Sequence, residues 1–146
     1  MIDEDAKMRI EGELAPKLWR KYGIRVFVHK NADEDSYRCM LYKGMGVLPK
    51  GELEVLAELV TAEYSDNRVS IRFGEWDTSP EDMPKGSEKV GIWSCTVDNE
   101  DDIEKYASVI LKVDEEFWSK LIKHAKIMEE RRREKRERLI SYFKSL

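Results

Sequence analysis

The sequence predicts an α+β fold: a four-stranded antiparallel or mixed sheet in ββα–ββα order, helices on one face, and a long C-terminal helix. Three observations predict it. Four runs alternate apolar with polar residues and are rich in β-branched side chains, the pattern of half-buried strands. Around them, apolar residues recur at helical spacing. From Asp114 onward there is neither Gly nor Pro. Over that stretch Trp118, Leu121, Ala125, Met128, Arg132, Lys135, Leu139, Tyr142 and Leu146 keep an alternating three-then-four spacing that lines one side of a helix.

Ala6, Met8, Ile10, Leu14, Leu18 and Trp19 mark an opening helix. Gly12 and Pro16 are expected to break it in two, with Pro16 in the first turn of the second piece. Tyr22-Gly23 closes it, because glycine accepts the left-handed conformation of a helix end. Ile24 to His29 reads as a strand, Asn31 to Asp35 as a polar turn, and Tyr37 to Tyr42 as the second strand of a hairpin. Gly44-Met45-Gly46 then leads to Pro49, and Leu53, Leu56, Val60 and Tyr64 mark one face of a helix.

Val69 to Phe73 is the third strand. Glu75 to Glu88, with Pro80, Pro84 and Gly86 among acidic residues, is a surface excursion, and Lys89 to Val97 is the fourth strand. A short helix from Asp102 to Leu111 is expected ahead of the terminal one, with Asp101 and Glu104 as a capping box and Asp114 as the cap of the last helix. The chain reads as one domain. Residues 1–113 form the α+β body, and 114–146 a long charged helix that belongs to the same domain at its start.

With 146 residues, 41% hydrophobic and 38% charged, the chain has length for a real core and is too apolar to be disordered. No run approaches a membrane span, and Met1 to Asp5 lacks the basic start of a signal peptide, so an intracellular, cytoplasmic protein without membrane association is expected. Cys39 and Cys95 lie inside strand-like runs and are expected to be reduced core thiols. Glutamine is absent, asparagine is limited to Asn31, Asn67 and Asn99, and Glu, Lys and Arg abound, a composition of the hyperthermophile kind.

No pattern of residues specifies catalysis. The acidic cluster Asp98 to Asp102 lacks the register and glycine of a calcium loop. His29, Cys39, Cys95 and His124 could meet around zinc only across long separations, with none of the close spacings that mark such sites. No catalytic residue, metal or cofactor is assigned. Between the second strand and the next helix, Lys43, Gly44, Gly46 and Lys50 form a weak candidate for a small anion, although the phosphate-loop spacing is incomplete. The hydrophobic spacing of Gly46 to Phe73 resembles the strand–helix–strand core of the ferredoxin-like half-domains in sulfite and nitrite reductases. The cysteine clusters for an iron–sulfur centre and siroheme are absent, and no activity is carried across.

The charge distribution gives the best lead. Residues 119–146 hold ten Lys/Arg against four Asp/Glu, a net +6, whereas residues 1–118 hold sixteen against twenty-six, a net −10. Arg131, Arg132, Arg133, Lys135, Arg136 and Arg138 crowd one stretch, followed by an apolar group at Leu139, Ile140, Tyr142, Phe143 and Leu146. A terminal segment is ordinarily polar, so an apolar end beyond a charged stretch marks a contact surface. The function expected is therefore non-enzymatic. The protein is expected to work in interaction and assembly, its protruding helix self-associating into an oligomer or docking in a larger complex through those apolar residues. The alternative is a nucleic-acid-associated accessory factor that uses the Arg-rich segment 131–138.

Overall fold

The computed structural model describes residues 1–49, 51–52, 60, 68–74 and 85–146. Its first helical run is continuous. Asp3 caps α1 (Glu4–Arg9), its carboxylate accepting from the Ala6 N–H at 2.8 Å. Where Gly12 and Pro16 were expected to break the helix, a π-helical turn (Ile10–Leu14) leads into α2 (Ala15–Tyr22). Pro16 has no N–H for the carbonyl one turn back, and a widened turn absorbs that missing bond without ending the helix. Gly23, at φ +67°, ends α2 as expected.

β1 (Ile24–Lys30) and β2 (Tyr37–Gly44) form the first hairpin. β3 (Val47–Pro49) and β5 (Ser87–Lys89) make a separate two-stranded ribbon, while β4 (Ser70–Phe73) and β6 (Gly91–Val97) complete the main sheet. Its order is β1-β2-β6-β4 and every neighbouring pair is antiparallel, so the α+β class and the four-stranded sheet stand. The helix expected at Leu53–Tyr64 lies outside the described residues apart from Val60, which is helical and fully buried. About half of the segment from Gly46 to Phe73 falls outside them too.

The strand expected from Lys89 starts instead at Gly91. Val90 turns the corner between ribbon and sheet, donating to the Gly46 carbonyl and accepting from the Gly74 N–H, each at 3.0 Å. Only glycine fits the next position, since a Cβ on Gly91 would lie 2.3 Å from the Arg72 carbonyl oxygen.

The helix–break–helix expected after Asn99 is also corrected. A 3₁₀ turn (Glu100–Asp102) runs directly into α3 (Ile103–Ser145), a single helix of 43 residues. The Asp101–Glu104 capping box does not form. The Asp102 N–H bonds the Asn99 carbonyl at 3.2 Å, and Glu104 pairs with Lys17 at 3.0 Å. Asp114 caps nothing, because it sits mid-helix. Its carboxylate accepts from the Trp93 indole N–H at 2.8 Å and from the Lys43 ammonium at 2.9 Å.

The helices cover one face of the sheet. Ile10 and Leu18 from the first run, Leu41, Trp93 and Cys95 from the strands, and Ile103, Ile110, Phe117 and Leu121 from α3 share a single core. The buried α3 residues fall at 103, 107, 110, 117 and 121, with Asp114 at the position left over in that three-and-four series. Phe117 lies edge-on to Trp93, with ring centres 5.8 Å apart. Truncating this fully buried ring (Phe117→Ala) is expected to cost about 3–5 kcal/mol in urea unfolding, through lost burial and the cavity left behind. Asp114→Ala is expected to cost about 2–3 kcal/mol, because it removes the acceptor of an indole N–H and the counter-charge of a largely buried ammonium.

Candidate functional site

After a repeated four-residue step (Phe117 to Leu121, Leu121 to Ala125), the row that grips the sheet runs on along α3 as Ala125, Met128, Arg132, Lys135, Leu139, Tyr142 and Leu146. The parent body stops using it partway. Ala125 and Met128 are half-buried against the core, and every residue from Glu129 onward is exposed. Glu129 to Ser145 is therefore about 25 Å of helix that leaves the body behind.

At the far end Leu139, Ile140, Tyr142, Phe143 and Leu146 are 45–85% exposed. The Tyr142 and Phe143 rings stand edge to face at 5.6 Å, so the tip is already a small aromatic cluster. Ile140 and Phe143 flank the row of Leu139, Tyr142 and Leu146 and widen it to a strip. Between tip and body, Arg131, Arg132, Arg133, Lys135, Arg136 and Arg138 are all exposed and spread around the helix. Arg138 reaches Glu134 at 3.9 Å, a solvent-exposed pair that contributes little.

The loop candidate is rearranged. β2 extends through Lys43 and Gly44, and the Lys43 ammonium is committed to Asp114 and to the Gly44 carbonyl at 3.2 Å. Gly46, at φ +111°, lies under the Trp118 ring, 3.4 Å from where a Cβ would stand. Lys50 is outside the described residues. The structure thus brings Lys43 and Gly44 to the anchor of α3. That anchor of Lys43, Trp93 and Asp114 was missed at the sequence level, although a carboxylate in the row 103, 107, 110, 114, 117, 121 was a visible sign of it.

The zinc quartet is not assembled. Register pairs Val28 with Cys39 and His29 with Arg38, so His29 and Cys39 point to opposite faces of the sheet. Among the described residues no group of three His, Cys, Asp or Glu side chains is arranged to hold a metal ion. Also among them, no helix is long and apolar enough to cross a membrane. Comparison of the chain with family models, with curated proteins and with solved structures finds no match in any of the three.

Cys39 and Cys95 are free and buried in the core. Burial, and after it the neighbouring Cys95, pushes the Cys39 thiol up to about 12, and burial pushes Cys95 up to about 11. Both are neutral thiols and poor nucleophiles while the protein is folded. Above their ordinary value of 9.0 an unfolded chain releases protons that the folded one retains. Their contribution to stability is therefore complete below pH 9.0 and lost as pH rises through about 11 and 12. A thiol reagent at mildly alkaline pH is expected to leave both cysteines unmodified in native protein and to titrate both once denaturant is added.

Proposed function

We propose that this protein is an assembly component, not an enzyme, whose protruding helix pairs with another helix, in a second copy of the chain or in a protein partner. One observation carries the reading. The face by which α3 grips its own sheet continues past the body after one repeated four-residue step, from Phe117 to Leu121 and from Leu121 to Ala125, and ends in exposed apolar side chains. A strip of that kind is what a facing helix packs against, knobs into holes. Burying the tip would contribute several kcal/mol at about 25 cal/mol per Å².

The charged middle sets selectivity. Arg132 and Lys135 occupy the row itself, so a facing helix must offer carboxylates at that level. When two arms lie antiparallel about Glu134, Arg132 comes level with Arg136 and Lys135 with Arg133, so a second copy offers its carboxylates beside the row and not at those two positions. Glu130 of each arm then comes level with Arg138 of the other, and Arg131 with Glu137. The apolar tips then come level with Ile122 and Ala125, and Ile122 is 54% exposed in the single chain. Nucleic-acid binding through Arg131, Arg132, Arg133, Lys135, Arg136 and Arg138 is the alternative use of the same segment. Glu129, Glu130, Glu134 and Glu137 are interspersed there and oppose a phosphate backbone.

Light scattering across concentration is the test. Truncation after Glu130 is expected to leave a folded body that is monomeric, while the full chain associates. Tyr142→Glu with Phe143→Glu in the full chain is expected to give the same loss. A full chain that stays monomeric at every concentration and retains no other protein overturns the reading, and so does a truncated body that unfolds.

A further inference from the structure

The described helices bury one face of the sheet and leave the other open, and that open face has an unusual composition. On β1 it carries Arg25, Phe27 and His29, and on β2 Arg38, Met40 and Tyr42, with Arg25 opposite Tyr42, Phe27 opposite Met40 and His29 opposite Arg38. β6 and β4 add Ile92, Ser94, Thr96, Ser70 and Arg72. No residue of these four strands that points to this side is Asp or Glu, in a chain with 30 acidic residues among 146. The side of the sheet away from the core is therefore cationic and aromatic on a body whose net charge is strongly negative.

The face is also shaped. Trp19 and Tyr22 rise from α2 at the β1 edge and enclose, with the strands, a concavity of about 850 Å³. Phe27, 45% exposed, stands edge to face with Tyr42 at 5.7 Å and is stacked by His29 at 6.4 Å. The Arg25 guanidinium lies over the Trp19 ring at 5.1 Å. Flat rings thus lie between cations at both ends of the β1–β2 hairpin, in rows about 6.6 Å apart along the strands.

We propose that this open face binds single-stranded nucleic acid, with bases stacked on Phe27 and Tyr42 and the phosphate backbone held by Arg25 and Arg38. Exposed rings on a sheet stack unpaired bases, and a groove whose described lining residues include no carboxylate tracks the backbone. An acidic peptide would satisfy the cations but leave the rings unused. Duplex has its bases stacked inside and offers nothing to Phe27. The site is separate from the arm of α3, and neither surface depends on the other.

The experiment measures fluorescence anisotropy of a labelled oligothymidine of about 12 nucleotides with the full chain, in salt from about 50 to 200 mM. Binding that weakens steeply with salt is expected. Phe27→Ala is expected to lose about tenfold in affinity, and Phe27→Trp to keep it, because stacking asks only for a flat ring. Arg38→Gln, at an exposed position, is expected to weaken binding and to lower the salt slope by about one. Four results would each overturn the proposal: no binding at the lowest salt, binding indifferent to Phe27→Ala and Arg38→Gln, equal affinity for a polyglutamate peptide, or loss only on neutralising Arg131, Arg132 and Arg133 together.

Discussion

The fold depends on how α3 is held. Five apolar side chains along its first half are buried, and between them one carboxylate, Asp114, reaches into the sheet to receive an indole N–H and an ammonium. Trp93 and Phe117 pack edge to face beside it, and Phe73 lies 6.2 Å from Phe117 on the other side. A polar group at such a place fixes register. Apolar packing alone would let the helix slide or turn by a residue, whereas two directed bonds to one carboxylate do not. Lys43 lies on β2 and Trp93 on β6, so the grip also ties together the two central strands.

That arrangement decides which surfaces are available. With α1, α2 and the first half of α3 on one side, the sheet's other side is uncovered by them. The rest of α3, exposed from Glu129 onward, extends past the edge of the core. Salt bridges of Arg9 with Glu100 at 2.8 Å and of Lys17 with Glu104 hold the first helical run alongside the start of α3. Arg9 in turn keeps the Glu100 carboxyl below its ordinary range. These exposed pairs contribute little to stability but orient one helix on the other.

Much of this was legible in the residues. Period-two runs located the strands, and Gly23 marked the end of α2 through its conformation. The free helical end was legible as well, because charges fill the middle of the last helix where a core-facing helix would be apolar. What misled were residues with two uses. Pro16 breaks a helix in isolation, yet here a π turn accommodates it. Asp114 is a good cap by type, and only the indole of Trp93 on a distant strand makes it a mid-helix acceptor. The open face of the sheet was hidden for a different reason. Its composition emerges only when alternate residues of four separate strands are read together, and one linear pass gives no reason to group Arg25 with Arg72.

Because α3 has no break between Ile103 and Ser145, its distal end and its buried root belong to one stiff rod of about 64 Å. A protein that grasped Phe143 would therefore also aim the sheet. The rod's lever arm would convert a small rotation at its tip into a large swing of the body, and load applied there would be delivered to Asp114 and the rings around it, not dissipated in a hinge.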